Sequence, residues 1–239
     1  MLAATKLRYE VQTIVAQHPA IALPLARLRG HGVPLGPRTE IVIEGFPRSA
    51  NSFAVAAFAR AQGRKPEIAH HVHAPAQILG AAHRNVPAIA LIRNPEDAVL
   101  EYVIKKPDIT IGQALRGYVR FYEPLLACRG AFVTGLFDEV TSDFGAVIRR
   151  VNERFRTSFT EFEHSEENAR ATLDELDRYW RGILGSGERL EIIVGRPSAV
   201  RDQIKGGLRD GYHAASLAGL RARARTLYER MAADARAGV

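Results

Sequence analysis

The fold of this chain is decided by the stretch Ile41-Val42-Ile43-Glu44-Gly45-Phe46-Pro47-Arg48-Ser49-Ala50-Asn51-Ser52-Phe53. It begins with three β-branched residues, as in a buried strand, and an apolar helical pattern starts where it ends. In the turn between them, successive backbone N–H groups converge on one point, and the first N–H groups of the helix add the positive end of its dipole. The stretch therefore predicts a strand, a turn and a helix around a site for a phosphate or a sulfate group.

The same stretch fits only part of the nucleotide-binding pattern GxxxxGK[ST]. Gly45 and Ser52 occupy the first glycine and the final hydroxyl, whereas Ala50 and Asn51 replace the second glycine and the lysine. The cation stands inside the loop instead, at Arg48, where a planar guanidinium can bind two anionic oxygens at once. The pattern disfavours an NTPase and leaves a P-loop kinase for a small metabolite as a minor alternative.

A second motif follows an apolar run at residues 88–92, which predicts a buried strand. Arg93-Asn94-Pro95-Glu96-Asp97-Ala98-Val99 comes directly after that run. Short β-branched runs alternate with longer amphipathic segments along the chain, and this alternation predicts a parallel sheet covered by helices. Ligands bind such sheets at the carboxyl ends of the strands, which is where both motifs lie.

The two motifs resemble those of the P-loop sulfotransferases, which use 3′-phosphoadenylyl sulfate (PAPS), and the chain looks like a divergent, bacterial-type member. Pro47-Arg48-Ser49-Ala50-Asn51-Ser52 resembles the family's 5′-phosphosulfate loop, written PKSGTT or PRSGTT, and Arg93 begins a segment similar to its 3′-phosphate motif R[ND]PxDVxxS. The resemblance implies that residues 47–52 and Arg93 bind PAPS and that the product nucleotide is 3′,5′-adenosine bisphosphate (PAP). It also implies a three-layer α/β/α P-loop fold with a central, mostly parallel sheet flanked by helices.

Glu101 departs from this motif, because the family has a serine there. A carboxylate beside a phosphate is unfavourable unless it is protonated or turned away. We expect Glu101 to point elsewhere, and the alternative is an altered donor site. Near the C-terminus, Arg196, Arg201 and Lys205 lie beside a helix start predicted at Ser198. They loosely resemble the family's basic loop for the 3′-phosphate and would shield Glu101, although an ordinary basic helix terminus explains them as well.

Transfer of a sulfuryl group to a hydroxyl or an amine needs a base, and histidine titrates in the useful range. His73-Ala74-Pro75 resembles the T-H-L-P-like segment that carries the base in cytosolic sulfotransferases, so His73 and Arg48 are the predicted catalytic residues. His71 is an alternative base, since a shift of two residues exchanges the two histidines. Glu67 is a reserve candidate, because another branch of the family uses a glutamate at this distance from the loop proline. Loop surface or metal binding would also explain the histidines, but no set of Cys, His and Asp completes a metal site, and no metal is predicted.

The 239 residues predict one α/β domain over 1–239, with a helical N-terminal segment and a connector over 1–37 and the core with C-terminal helices over 38–239. Further strands are predicted at 131–134 and 191–194. The net charge of +7 is spread along the chain, and no zinc-finger spacing, aromatic RNA-binding signature or helix-turn-helix accompanies it, so no nucleic-acid partner is expected. No apolar stretch approaches the about twenty residues of a membrane span, and no signal-peptide core is visible. These observations predict a cytoplasmic protein without a transmembrane segment.

The sequence thus predicts a PAPS-dependent sulfotransferase that acts without a metal on a hydroxyl or an amine of a small-molecule, carbohydrate or lipid acceptor. Ala50, Asn51 and Glu101 depart from the family at three positions that contact the donor. A catalytically inactive nucleotide- or anion-binding protein of the same fold is therefore the main alternative.

Overall fold

The computed structural model describes residues 2–30, 32–194 and 198–237. Within these residues it has four strands, β1 Ile41–Gly45, β2 Ile68–His70, β3 Ala88–Ile92 and β4 Val133–Leu136. They pair in the order β2-β1-β3-β4, and every pairing is parallel. The predicted parallel sheet is confirmed.

Helices connect the strands, and further helices precede β1 and follow β4 in the chain. Two precede it, α1 Leu2–Val15 and α2 Pro19–Arg29. Four lie between β1 and β4, namely α3 Asn51–Ala61, α4 Pro75–Arg84, α5 Pro95–Lys105 and α6 Ile111–Tyr122, and a 3₁₀ segment, Glu123–Ala131, leads into β4. The described helices after β4 are α7 Phe137–Ser142, α8 Phe144–Phe155, α9 Glu166–Leu184, α10 Glu188–Ile193, α11 Ala199–His213 and α12 Ala218–Ala237, with a 3₁₀ turn at Ala215–Leu217.

Capping residues set where several of these helices begin. The Asn94 side chain accepts a hydrogen bond from Glu96 N at 3.0 Å, and Pro95 supplies the fixed φ of the first helical position. Thr110 forms a capping box with Gln113 at the start of α6. Ser198 caps α11, as the sequence predicted.

The sheet separates two apolar cores, because alternate side chains of a strand point to opposite faces. Ile41, Ile43 and Ile89 pack against α3 and α8 on one face. Val42, Ala90 and Ile92 pack on the other face against helices α4, α5, α6 and α12. All five residues of β1 and of β3 are buried, as expected of strands covered on both sides. The three-layer α/β/α arrangement is confirmed.

The strand predictions differ from the structure at two places. The strand expected at 131–134 begins two residues later, at Val133. The strand expected at 191–194 is wrong, because this apolar run belongs to α10 and its C-cap. Leu190 and Val194 are buried four residues apart, which is helical spacing. A short apolar run does not by itself distinguish a buried strand from a short helix.

The strand order places a crevice between β1 and β3. The chain leaves β1 into α3 on one face of the sheet and leaves β3 into α5 on the other face. The two connections therefore diverge, and a crevice opens at the carboxyl ends of these strands. Gly45 ends β1 so close to β3 that a Cβ atom would lie 2.5 Å from the Leu91 carbonyl oxygen, and only glycine fits there.

Among the described helices, none is both long enough and apolar enough to cross a membrane.

Candidate active site

The loop after β1 has the backbone geometry of an anion site. Arg48 and Ala50 have positive φ values of 72° and 67°, and α3 begins directly after Ala50. Alternation of left-handed and right-handed residues turns consecutive N–H groups toward one side of a loop. In the described structure no hydrogen bond engages the N–H groups of Ala50, Asn51 and Ser52. These donors and the dipole of α3 therefore converge at the crevice.

The side chains of Asn51 and Tyr122 hold this loop in place through hydrogen bonds. Asn51 Nδ2 donates to the Phe46 carbonyl oxygen at 3.0 Å, so the residue that replaces the P-loop lysine closes the loop on itself. Tyr122 Oη accepts from Phe46 N at 3.2 Å and donates to the Leu91 carbonyl oxygen at 2.7 Å. Burial raises the pKa of Tyr122, so its hydroxyl keeps its proton. The loop is held to both β1 and β3.

The hydroxyls of the loop have different positions. Ser49 is fully buried, and its Oγ lies 3.4 Å from Tyr122 Oη, so its side chain contacts the protein interior and not the crevice. Ser52 is half-buried, and its Oγ lies 3.1 Å from His71 Nε2. Of these two serines, only Ser52 has its hydroxyl beside a candidate base, which is the alternative His71.

A histidine segment follows β2 and runs beside the loop. His71 Nδ1 lies 2.6 Å from His70 Nδ1, so one of these nitrogens carries a proton and the other accepts it in a hydrogen bond. Burial lowers the pKa of His70, which favours its neutral form. His71 thus links Ser52 to the half-buried imidazole of His70, and the ring of His71 stands 5.7 Å from the ring of His73.

His73 is oriented by the end of β1. Its Nδ1 is 3.0 Å from the Gly45 carbonyl oxygen, which can only accept, so this nitrogen carries the proton. The basic lone pair of the neutral ring is therefore on Nε2. His73 N and Val72 N donate to Glu44 Oε2 at 3.1 and 2.8 Å. Burial raises the pKa of Glu44 to about 8, against the opposing effect of these backbone hydrogen bonds.

Arg93 lies against the loop, as its position after β3 predicted. Its Nη1 donates to the Arg48 carbonyl oxygen at 3.3 Å, and its guanidinium carbon is 4.0 Å from the centre of the Phe137 ring. Tyr118 Oη donates to the Arg93 carbonyl oxygen at 2.8 Å. The parallel sheet therefore brings the two sequence motifs into contact.

Glu101 does not point away from the loop, and the expectation that it does is wrong. Its Oε2 lies 2.8 Å from Arg48 Nη2 and 3.0 Å from Arg201 Nε, and its Oε1 lies 3.1 Å from Lys205 Nζ. Burial by itself would raise the pKa of Glu101, but the charges of Arg48, Arg201 and Lys205 outweigh it and lower this pKa to about 2. Three of the cations predicted to bind the donor are paired with this ionised carboxylate. We call these four residues the Glu101 cluster.

The Glu101 cluster also fastens the C-terminal helices to the loop. Arg48 Nη1 donates to the Ile193 carbonyl oxygen at 3.0 Å. Arg201 Nη1 donates to the Val194 carbonyl oxygen at 2.8 Å and to that of Glu191. Arg196, which the sequence placed in the same basic segment, lies outside the described residues.

One cation near the loop was missed from the sequence. Lys105 lies one helical turn after Glu101 on α5, and its Nζ is 6.0 Å from the centre of the Trp180 ring. Burial, with the nearby charge of Arg48, lowers the pKa of Lys105 to about 8. In the described part of the chain, no carboxylate pairs with Lys105 or with Arg93. The sequence did contain one indication of this cation, because Lys105 follows Glu101 by four positions and therefore lies on the same face of α5.

Glu67 is not brought to this site. It directly precedes β2, and its N–H donates to Glu40 Oε1 at 3.0 Å, just before β1 begins. Glu67 therefore lies at the amino ends of parallel strands, whereas the loop lies at their carboxyl ends. The side chain would have to reach along the length of β1.

No cluster of three or more His, Cys, Asp and Glu side chains that could hold a metal ion occurs within residues 2–30, 32–194 and 198–237.

Comparison with solved structures gives a structural likeness, whereas comparison at the level of sequence gives none. No protein-family model matches the chain, and no curated protein matches it. Among solved structures, the chain is similar to mouse sulfotransferase SULT7A1 complexed with PAP, at 11% sequence identity and a TM-score of 0.45. The match covers 82% of this chain and 89% of the mouse chain.

Proposed function

We propose that this protein transfers a sulfuryl group from an adenosine 5′-phosphosulfate donor, the chemical group that PAPS shares with adenylyl sulfate, to a hydroxyl or an amine. One observation carries the proposal. The unengaged N–H groups of the loop, the Arg93 guanidinium and the imidazoles of His71 and His73 come together at the carboxyl end of β1. This set combines an anion site with a base, and both are needed for sulfuryl transfer.

The proposed reaction is a single displacement at sulfur. The acceptor oxygen or nitrogen attacks the sulfur, the bond from sulfur to the bridging oxygen breaks, and that electron pair stays on the leaving phosphate. The acceptor proton goes to His73 Nε2. Loop N–H groups and Arg93 stabilise the negative charge on the departing phosphate, much as equivalent groups do in phosphoryl transfer.

His73 is the preferred base, because the Gly45 carbonyl oxygen fixes its proton on Nδ1 and the neutral ring then has its basic lone pair on Nε2. The imidazole of His71 is instead beside the Ser52 hydroxyl, which suits a role in positioning the phosphosulfate. Because Arg48 is paired with Glu101, we assign the stabilisation of the charge on the leaving phosphate to Arg93 and the loop N–H groups, and not to Arg48. We do not retain Glu67 as a base.

The second candidate is a binding protein of the same fold without transfer activity. The Glu101 cluster favours it, since it occupies cations that the resemblance assigns to the donor. A P-loop kinase is disfavoured, because Asn51 replaces the lysine and its amide donates to Phe46. A small-molecule, carbohydrate or lipid acceptor and a cytoplasmic location belong to the main proposal, which invokes no metal and no nucleic acid.

The test begins with binding. Calorimetry compares adenosine 5′-monophosphate (AMP), PAP and Mg-ATP on the full chain and on Arg93→Ala, with Arg84→Ala, an exposed arginine at the end of α4, as the matched control. We expect magnesium-independent binding of an adenosine phosphate that Arg93→Ala weakens at least tenfold and Arg84→Ala leaves unchanged. A preference for Mg-ATP would support the kinase.

Turnover separates the enzyme from the binding protein. Adenylyl sulfate and PAPS, each labelled with ³⁵S, are incubated with simple phenols, alcohols and amines, and labelled acceptor is counted. Label on an acceptor with the full chain and its loss in His73→Asn support sulfuryl transfer. Nucleotide binding with all label retained on the donor would support the inactive protein.

A further inference from the structure

We infer that Glu101 selects the donor, so that the site takes a nucleoside 5′-phosphosulfate with free ribose hydroxyls and excludes one with a second phosphate at its 3′ position. This inference rests on the proposed function, which concerns only the 5′ end of the donor. It differs from the resemblance, which implies a 3′-phosphorylated donor. The product nucleotide would then be a 5′-monophosphate.

The first argument is that the cations of the Glu101 cluster are already occupied. Both oxygens of Glu101 are used, Oε2 by Arg48 and Arg201 and Oε1 by Lys205. The four side chains are at most 10% exposed. A second phosphate could reach these cations only by displacing Glu101 or by lying beside it. Displacement would leave a buried carboxylate without its partners, which is strongly unfavourable. A phosphate beside Glu101 would instead be repelled by the like charge of the carboxylate.

The second argument is the charge balance around Lys205. Its Nζ also lies 3.4 Å from Asp97 Oδ1 and 3.7 Å from Asp202 Oδ1. In the described structure, the cations Arg48, Arg201 and Lys205 thus meet three carboxylates, those of Glu101, Asp97 and Asp202. Among the described residues, the positive charges of the Glu101 cluster are therefore matched by carboxylates, and the cluster has no excess positive charge to attract a further dianion.

The third argument is that the cluster is held in place. Arg48 and Arg201 donate to the carbonyl oxygens of Ile193 and Val194, which can only accept hydrogen bonds. In each arginine these bonds use Nη1, which is a different nitrogen from the one that contacts Glu101, so both guanidinium groups are fixed at two points. Turning Arg48 or Arg201 toward a ligand would cost those hydrogen bonds as well as the ion pairs.

The cations outside the cluster match a single phosphosulfate. A 5′-phosphosulfate carries about two negative charges at neutral pH, and it would meet Arg93, Lys105 and the N–H groups of the loop. Neither Arg93 nor Lys105 has a carboxylate partner within the described ranges. A ribose hydroxyl beside Glu101 would be neutral and able to donate a hydrogen bond to a carboxylate oxygen. A carboxylate therefore tolerates the free hydroxyl and rejects its phosphate.

The experiment compares AMP with PAP by calorimetry on the full chain, on Glu101→Ser and on Glu96→Ser. Glu96 is the matched control, because it lies on the same helix and pairs with Arg209 and His213 of α11 outside the cluster. The full chain and Glu96→Ser are expected to bind AMP at least tenfold more tightly than PAP. In Glu101→Ser, which frees three cations and opens space, the preference is expected to reverse toward PAP by at least tenfold.

The possible failures are distinct. Tighter binding of PAP than of AMP by the full chain would overturn the inference and leave the proposed function standing, and this measurement needs no variant to fold. If neither nucleotide binds the full chain, both the inference and the proposed function are overturned. If Glu101→Ser is folded by circular dichroism and keeps the full chain's ratio of AMP to PAP affinity, the carboxylate is not the selector.

Discussion

Arg48 Nη2 and Glu101 Oε2 lie 2.8 Å apart, although the two residues are 53 positions apart in the sequence and belong to different structural elements. Arg48 is in the loop after β1 and Glu101 is on α5, which follows β3. Their ion pair therefore joins the two connections that leave the sheet on opposite faces. Arg201 and Lys205, both on α11, also form ion pairs with Glu101, so α11 is connected to the same carboxylate. A buried carboxylate with three cationic partners has a large effect on stability, and the size of this effect depends on pH.

Glu101→Gln is expected to lower the free energy of unfolding by about 3 kcal/mol at pH 7, because it leaves three buried cations without their carboxylate. The folded-state pKa of Glu101, about 2, is below its unfolded value, so its stabilisation is present above pH 4.5 and is lost as the pH falls toward 2. The difference between the full chain and the variant should therefore shrink from pH 7 to pH 3. Urea unfolding at both values measures it, and an equal difference would contradict the assignment.

Glu44→Gln should change the pH dependence in the opposite sense. Burial raises the pKa of Glu44 to about 8 in the folded state, so the protein keeps a proton that the unfolded chain releases near pH 4.5. Stability from Glu44 is thus present below pH 4.5 and is lost as the pH rises through 8. We expect the full chain to lose stability from pH 5 to pH 8 relative to Glu44→Gln. Glu40→Gln is the matched control, since the Arg64 ion pair lowers the pKa of Glu40.

Ala50→Gly should stabilise the loop or leave it unchanged, whereas the same substitution elsewhere in α3 should destabilise the protein. Ala50 has φ 67°, which costs a non-glycine residue about 1 kcal/mol and glycine almost nothing. Ala56→Gly, in the right-handed interior of α3, should cost about 1 kcal/mol. The two thermal unfolding midpoints are compared with that of the full chain. A loss at Ala50 as large as that at Ala56 would mean that the left-handed conformation is not adopted.

Lys105→Met should weaken AMP binding about tenfold at pH 7 and much less at pH 9. The pKa of Lys105 is lowered to about 8, so its charge disappears over this range and the affinity of the full chain for an anion should fall as the pH rises. Lys106→Met, an exposed neighbour, should leave both values unchanged. Calorimetry at the two pH values provides the measurement. If Lys105→Met kept the pH dependence of the full chain, another group would be responsible.

His73→Asn should abolish transfer without loss of donor binding. The asparagine Nδ2 can replace His73 Nδ1 as the donor to the Gly45 carbonyl oxygen, but it offers no base in place of Nε2. We expect the transfer rate to fall by about 10²-fold to 10⁴-fold, with nucleotide affinity within about twofold of the full chain. His71→Gln, which can still meet the Ser52 hydroxyl, serves as the comparison. If His71→Gln abolished transfer and His73→Asn did not, the two roles would be exchanged.

The sequence by itself determined the local structure of the site. Three β-branched residues before Gly45 gave β1, an apolar run gave β3, and the rule that ligands bind at the carboxyl ends of parallel strands placed the loop and Arg93 at one edge. Ser198 was identified as a helix start from its residue type, because capping is a local interaction. The run at 191–194 was misassigned, since its three apolar residues, 192–194, fit a short helix and a buried strand equally well.

Only the tertiary structure decided the charges of the site. Whether Glu101 points toward Arg48 depends on how α5 and α11 pack on the loop, and no spacing in the sequence encodes that packing. The same is true of Glu67, which β-strand register places at the far end of the sheet, and of His73, whose tautomer depends on the Gly45 carbonyl oxygen. Local pattern fixes elements because it acts through neighbouring residues, whereas ion pairs and proton positions depend on groups that only the folded chain brings together.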